Sequence, residues 1–207
     1  MIKVNVEQGS EAWYQSRLGR ITGTRFKALM SKDSTEGYKN LISDIACEMI
    51  SGEFDEQFKS ELMERGSEVE PEAREFYAEE FGVEVEEVGM VLPDEDNEFH
   101  EWIGVSPDGL TDGVLEIKCP LRKTHLNYIG RGVLPSEYRW QVMGLLYVTG
   151  LPYCDFMSYF PKMKPFIVRV YPNEEDFDAI TQNLRVAIGR INDKIEMYNN
   201  YNYLDDK

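Results

Sequence analysis

Residues 106–120 read SPDGLTDGVLEIKCP. The Asp112-Gly113 pair is a tight-turn signal, and the adjoining VLEIKCP has the composition of a strand, so the segment predicts a β-hairpin. Side chains alternate faces along a strand. Leu115, Ile117 and Cys119 therefore read as one buried face, with Glu116 and Lys118 together on the other, about 6–7 Å apart along the chain. An acid and a base at that spacing inside an apolar run face either plain solvent or something charged.

Asp108 sharpens the choice. If residues 99–105 pair with 114–119 across the turn, Asp108 lies beside the hairpin and its carboxylate converges on that of Glu116. Two carboxylates brought together raise one another's pKa unless a cation sits between them. Mg²⁺ suits that position, because it takes hard oxygen donors and is held by one or two carboxylates plus water and substrate phosphate. An ammonium on the same face can orient an attacking water or stabilise charge growing on a phosphate. This is the chemistry of metal-assisted phosphodiester hydrolysis. The acid-x-Lys pattern alone is unspecific, since it recurs in the terminal DDK, and Pro-Asp-Gly is itself a common turn. The competing reading is a surface pair on an edge strand, where Lys discourages aggregation.

Working outward, Ser10 reads as the N-cap of a short helix through Arg17, and Thr22-Gly23-Thr24 opens another. Helices are predicted over 37–51 and over 67–81, the second stopped by Gly82. VEVEEVGMVL (83–92) and FHEWIGVS (99–106) look like strands. Residues 136–149 form a helix closed by Gly150, and YCDFMSYF and PFIVRVYP make a second strand pair. Asn173 caps a long helix whose apolar residues Phe177, Ile180, Leu184, Ile188, Ile191 and Ile195 step by three or four, a core-facing stripe. The tail from about Asn199 is expected to fray. The order of elements predicts a mixed α/β fold, a mixed sheet covered by helices, with 1–207 as a single domain.

The chain has 207 residues and a formal net charge of −16. Residues 53–101 hold 19 acidic and 3 basic side chains, which accounts for the whole imbalance. Residues 10–30 carry four basic residues against one acidic, and 116–145 five against two. Local charge within a Debye length of ~8–10 Å governs a contact, so these two segments can meet a polyanion that the acidic block repels. No apolar stretch approaches the ~20 residues of a membrane span. The N-terminus lacks the basic start and apolar core of a signal peptide. Three well-separated cysteines, Cys47, Cys119 and Cys154, suggest reduced thiols in a cytosol. They are one short of a four-cysteine iron–sulfur site, and with two histidines and no CxxC a structural zinc site is not expected.

Five blocks occur in order: GSEAWYQSRLGRITGTRF, ERGSEVEPEAREFY, VSPDGL, LEIKCP and WQVMGLLYVTG. Together, over about residues 9–150, they resemble the phage lambda exonuclease or YqaJ-type viral recombinase family of the PD-(D/E)xK nucleases. The resemblance implies a restriction-endonuclease-like core and a metal-dependent exonuclease of phage or prophage origin in the bacterial cytosol. It implies degradation of one strand of linear duplex DNA, 5′ to 3′, from a 5′-phosphorylated end. A 3′ overhang is left for a single-strand annealing recombinase. It further implies Mg²⁺, with Mn²⁺ as a substitute and two ions in the active complex, and a ring-shaped homotrimer. On this chain Asp108, Glu116 and the carbonyl of Ile117 would bind metal, and Lys118 would be the catalytic lysine. Glu70 would be the helical acid facing the metal through water, and Gln141 the glutamine behind the strand. Arg17, Thr24 and Ser106 would form the 5′-phosphate pocket. A guanidinium fork with hydroxyls at a helix start suits that anion.

Without the resemblance, Glu70 reads as one more solvated carboxylate of its block, Gln141 as a core amide and Arg17 as a surface ion pair. His100 and His125 read as ordinary residues, and the three tryptophans as core. Two further readings stay open: a nicking or structure-specific endonuclease of the same superfamily, and an acidic DNA mimic or partner-binding protein without activity.

Overall fold

The computed structural model describes residues 1–54 and 61–202, with residues 61–64 in backbone only. The side chains of Ser10, Thr35 and Asn173 each cap the start of a helix. Strand β1 (Ile2–Val4) pairs antiparallel with β2 (Met90–Leu92). The Ser10 side chain accepts a hydrogen bond from the Trp13 amide and starts α1 (Glu11–Arg17), as an N-cap serine does. A 3-10 turn at Gly23–Arg25 runs into α2 (Phe26–Leu29). Thr35 caps α3 (Glu36–Ser51) in the same way. Helix α4 (Glu61–Phe81) begins six residues before the predicted 67 and carries Pro71 inside it.

The predicted hairpin is present. β3 (Gly109–Leu110) and β4 (Val114–Lys118) pair antiparallel, Gly109 opposite Leu115 and Leu110 opposite Val114. An unpredicted helix, α5 (Arg122–Arg131), comes next, then α6 (Arg139–Thr149), which ends at Gly150 with φ +67°. β5 (Cys154–Ser158) and β6 (Phe166–Val170) precede α7 (Glu174–Asn199), capped by the Asn173 side chain. The main sheet has order β3-β4-β5-β6; β4 and β5 are parallel and the outer pairs antiparallel. The crossover required by the parallel pair is made by residues 119–153, which hold α5 and α6.

Helices cover both faces of the sheet. On one face Val114 and Phe156 join Phe26, Val142 and Leu146 and the α7 stripe in the larger core. On the other, Leu115 and Ile117 pack with Ala73 and Tyr77 of α4, with Met157 and with Tyr159. A strand covered on both sides has no solvent face.

Two strand expectations need correction. Residues 97–102 form turns, with the His100 and Trp102 amides donating three residues back and the Asn97 side chain accepting from Phe99. Beyond them only single bridges form, Ile103 to Ile21 and Val105 to Val91. Residues 99–105 therefore do not pair with 114–119. Gly104 lies so near β2 that a Cβ would sit 2.1 Å from the end of the Met90 side chain, which would have to move to admit one. The expected 83–92 strand is reduced to Met90–Leu92, with Glu86 bridging Leu110. At the C-terminus α7 stops at Asn199, and most of the tail expected to fray, with the terminal DDK, lies beyond residue 202, outside the described residues.

Candidate active site

The hairpin and the helices on its two faces build the site. The loop is closed by the Thr111 amide donating to the Gly113 carbonyl at 2.8 Å. That closure folds Asp108 back on β4, where its Oδ2 accepts from the Ile117 amide at 2.6 Å. Glu116 is 1% exposed. Its Oε1 accepts from Gln141 Nε2 of α6 and forms an ion pair with Lys118. The Lys118 ammonium stands 5.6 Å over the Tyr138 ring. The acid of the charge pair is thus buried, while the Lys118 side chain keeps 26% of its surface exposed.

Glu70 enters from α4. The block's described acids include exposed Glu68, Glu75, Glu79, Glu84, Asp94 and Asp96, but Glu70 turns inward, with its side chain 26% exposed and paired to Arg74 at 2.7 Å. Arg74 also donates through Nε to the Asp108 carbonyl and pairs with Glu87, both at 2.7 Å. A cleft of about 750 Å³ opens here, bordered by the 5–9 segment, Trp13, Glu70, Arg74 and Asp108.

Burial dominates the electrostatics of the three acids. Burial, with Asp108 adding repulsion, pushes Glu70 up to about 7. Burial lifts Asp108 above the usual carboxylate range, against the pull of Lys118. Glu116 is pushed up to about 8 by burial and by Asp108, again against Lys118. Burial would lower the Lys118 ammonium, but Glu116 and Asp108 outweigh it and hold the pKa above its ordinary value. Among the described residues no three acidic, histidine or cysteine side chains form a closed metal cage. Mg²⁺ needs no such cage, and two hard carboxylates that repel one another fit it.

A second cluster lies beside Ser106. Arg17 donates to Ser106 Oγ and to Thr22 Oγ1, both at 3.0 Å, and stacks 4.2 Å over the Trp13 ring. Trp13 Nε1 in turn donates to Ser106 Oγ at 3.0 Å and to the Gly89 carbonyl at 2.9 Å. Among the described residues Arg17 has no carboxylate ion-pair partner, unlike Arg20, Arg25 and Arg74. Burial, with Arg25 nearby, lowers its pKa to about 10, so it stays charged at neutral pH. Thr24 lines the same small cavity, about 70 Å³, but the hydroxyl on the guanidinium is that of Thr22.

The structure therefore gathers Asp108, Glu116, Ile117, Lys118, Glu70 and Gln141 in one centre, and Arg17, Ser106 and Thr24 in a neighbouring pocket. Sequence reasoning missed Arg74, Thr22 and Tyr138, and it underrated Trp13. Trp102 and Trp140 do pack on the core. His125 is buried between Ser158 Oγ and the Lys164 carbonyl, an ordinary structural histidine.

The YqaJ-like viral recombinase domain matches residues 12–152, and the chain belongs to that family. Family and fold together make the protein a nuclease. Among solved structures it is similar to LHK-Exo, an alkaline exonuclease from Laribacter hongkongensis. The TM-score is 0.82 at 30% identity, covering 92% of this chain and 96% of that one. LHK-Exo in complex with dAMP matches at 29% identity with the same TM-score, covering 91% and 96%. A phage-related exonuclease from Haemophilus somnus 129PT shares the fold, with TM-score 0.65 at 13% identity over 86% and 96%. No protein of curated function matches the sequence. Among the described residues no helix is long and apolar enough to cross a membrane.

Proposed function

We propose that the protein is a Mg²⁺-dependent exonuclease that digests one strand of linear duplex DNA from a 5′-phosphorylated end. The product is a 3′ overhang for a strand-annealing partner in phage-type recombination. The observation that carries the reading is the pair of buried Glu116 and half-buried Lys118, closed by the bond from the Ile117 amide to the Asp108 carboxylate. A DNA mimic works through exposed acids and has no use for a buried one beside a lysine.

Asp108, Glu116 and the Ile117 carbonyl would hold the cation. When bound, it polarises the phosphate and acidifies a coordinated water. The chain's own groups do the rest. Gln141 fixes the rotamer of Glu116 by donating to Oε1. Lys118 offers N–H groups to the attacking water or to the charge that grows on phosphate oxygen. Glu70, reaching the cleft from α4, would hold water beside the cation site. Arg17, preset by Ser106, Thr22 and the Trp13 ring, grips the terminal 5′-phosphate, and Thr24 lines that pocket.

A subunit ring with basic residues lining a DNA channel and the acidic block outward would reconcile the net charge with a DNA substrate. One gel tests the reading: end-labelled linear duplex, nicked circle and closed circle, each with and without Mg²⁺. Loss of label from linear duplex alone is expected. Cutting of closed circles would make the enzyme an endonuclease, and no cutting would leave only a binding role.

A further inference from the structure

Arg74 lies one helical turn after Glu70 on α4, its side chain 13% exposed. Its guanidinium reaches three separate segments. Nε donates to the Asp108 carbonyl, one Nη to Glu70 Oε1, and the other Nη pairs with Glu87. All three contacts are 2.7 Å. Asp108 is therefore held at both ends, its carbonyl by Arg74 and its carboxylate by the Ile117 amide. One turn further along α4, Tyr77 donates to Asp155 at 2.6 Å. Asp155 is itself 2% exposed and bound twice by Arg169, at 2.8 and 2.7 Å. The helix that carries Arg74 is thus tied to the sheet through β5, and the clamp has a rigid base.

We propose that Arg74 is a positioning residue for metal-dependent cleavage. It locks the Asp108 peptide and the Glu70 carboxylate into one frame, so that both acids meet the incoming divalent cation together. The inference rests on the proposed role of Asp108 and Glu70 at a metal. Its geometric warrant is the choice of acceptors. A planar fork serves a neutral carbonyl and two carboxylates lying in three directions, whereas a lysine ammonium on a flexible stem is a point charge without that preset geometry. A helix-stabilising pair needs only the Glu70 arm. The arm to the Asp108 carbonyl is what joins the helix to the metal-binding turn.

The test uses the full chain with Arg74→Met, which keeps the apolar stem, and Arg74→Lys, which keeps the charge. Two quantities are read: Mn²⁺ affinity without DNA, by electron paramagnetic resonance of the free ion, and the Mg²⁺ concentration giving half-maximal cleavage of linear duplex. Outer residues that orient metal ligands contribute roughly 10–100-fold to metal affinity or activity. Arg74→Met should weaken Mn²⁺ binding and raise the Mg²⁺ requirement by about that factor. Arg74→Lys should recover part of both, and turnover at saturating metal should fall less than affinity. A purely structural tie lowers the melting temperature but leaves Mn²⁺ affinity and Mg²⁺ requirement of the folded enzyme unchanged; that result overturns the proposal. If Arg74→Met does not fold, Arg74→Lys is held to the same criterion, and unchanged metal affinity overturns it. A wild type that binds no Mn²⁺ and cuts no duplex at any Mg²⁺ concentration overturns the functional reading and this inference with it. A metal-dependent wild type with indifferent Arg74 variants overturns the inference alone.

Discussion

The carboxylate of Asp108 and the amide of Ile117 lie nine residues apart in the chain and 2.6 Å apart in space. That bond latches the turn before β3 onto the middle of β4. It brings Asp108 to the strand that carries Glu116 and Lys118 without any strand from 99–105. The aspartate cannot swing away without giving up a charge-assisted bond to a backbone N–H.

Lys118→Ala should abolish hydrolysis while the fold persists, because Glu116, already pushed up to about 8, can take a proton when its partner is lost. Loss of a positioned charge at the reacting phosphate lowers rate on the order of 10²–10³, ~3–4 kcal/mol. Single-turnover cleavage by the purified, folded variant is the measurement, and near-wild-type turnover would remove Lys118 from the chemistry.

Asp108→Ala and Glu116→Ala should each end Mg²⁺-dependent cutting, and each should melt at a temperature no lower than the metal-free wild type. Each removes a buried carboxylate from a site where acids repel one another. Calorimetric Mg²⁺ titration checks the metal role. Unchanged binding in both variants contradicts it.

Without metal, stability should fall as pH rises. Glu70 and Glu116 have native pKa values raised to about 7 and about 8, above the ordinary 4.5. The native state then binds protons more tightly than the unfolded chain. Their contribution is complete below about pH 4.5 and is lost as pH climbs through 7 to 8. Melting curves from pH 5 to 9 should decline in chelator and decline less in Mg²⁺, whose charge replaces the missing protons. A metal-free melting temperature that rises from pH 6 to 8 would contradict both shifts.

A 5′-phosphorylated end should be digested faster than a 5′-hydroxyl end, and Arg17→Ala should erase the difference. A charge-assisted contact contributes roughly 1.5–3 kcal/mol, about 10- to 100-fold. Arg17→Lys should restore only part, since it lacks the planar fork. A structural role predicts a lower melting temperature and an unaltered phosphate-to-hydroxyl ratio.

Local chemistry was the legible part. Asp112-Gly113, Ser10 and Asn173 set a turn and two caps through bonds to near neighbours, and each stands where it was expected. Helix α5 escaped notice because its buried residues are His125 and Tyr128, which leave no apolar stripe. Phe99, Trp102, Ile103 and Val105 mimic a strand by composition, but their turns and the close approach at Gly104 break it. Thr22 and Thr24 are equivalent in sequence until the 3-10 turn aims one at Arg17. Arg74 was hidden for a different reason. Its contact with Asp108 spans 34 residues, and nothing in an acidic stretch marks one arginine as the joint.

The parallel pairing of β4 with β5 also sets the order in which the centre can be completed. During synthesis the strand bearing Glu116 and Lys118 leaves the ribosome well before residues 119–153 have supplied Gln141 and before β5 exists to align it. A nascent chain therefore displays the motif without a working centre. A chain stopped before Ser158 lacks the full parallel partner of β4, so its centre should be incomplete even with Asp108, Glu116 and Lys118 already made.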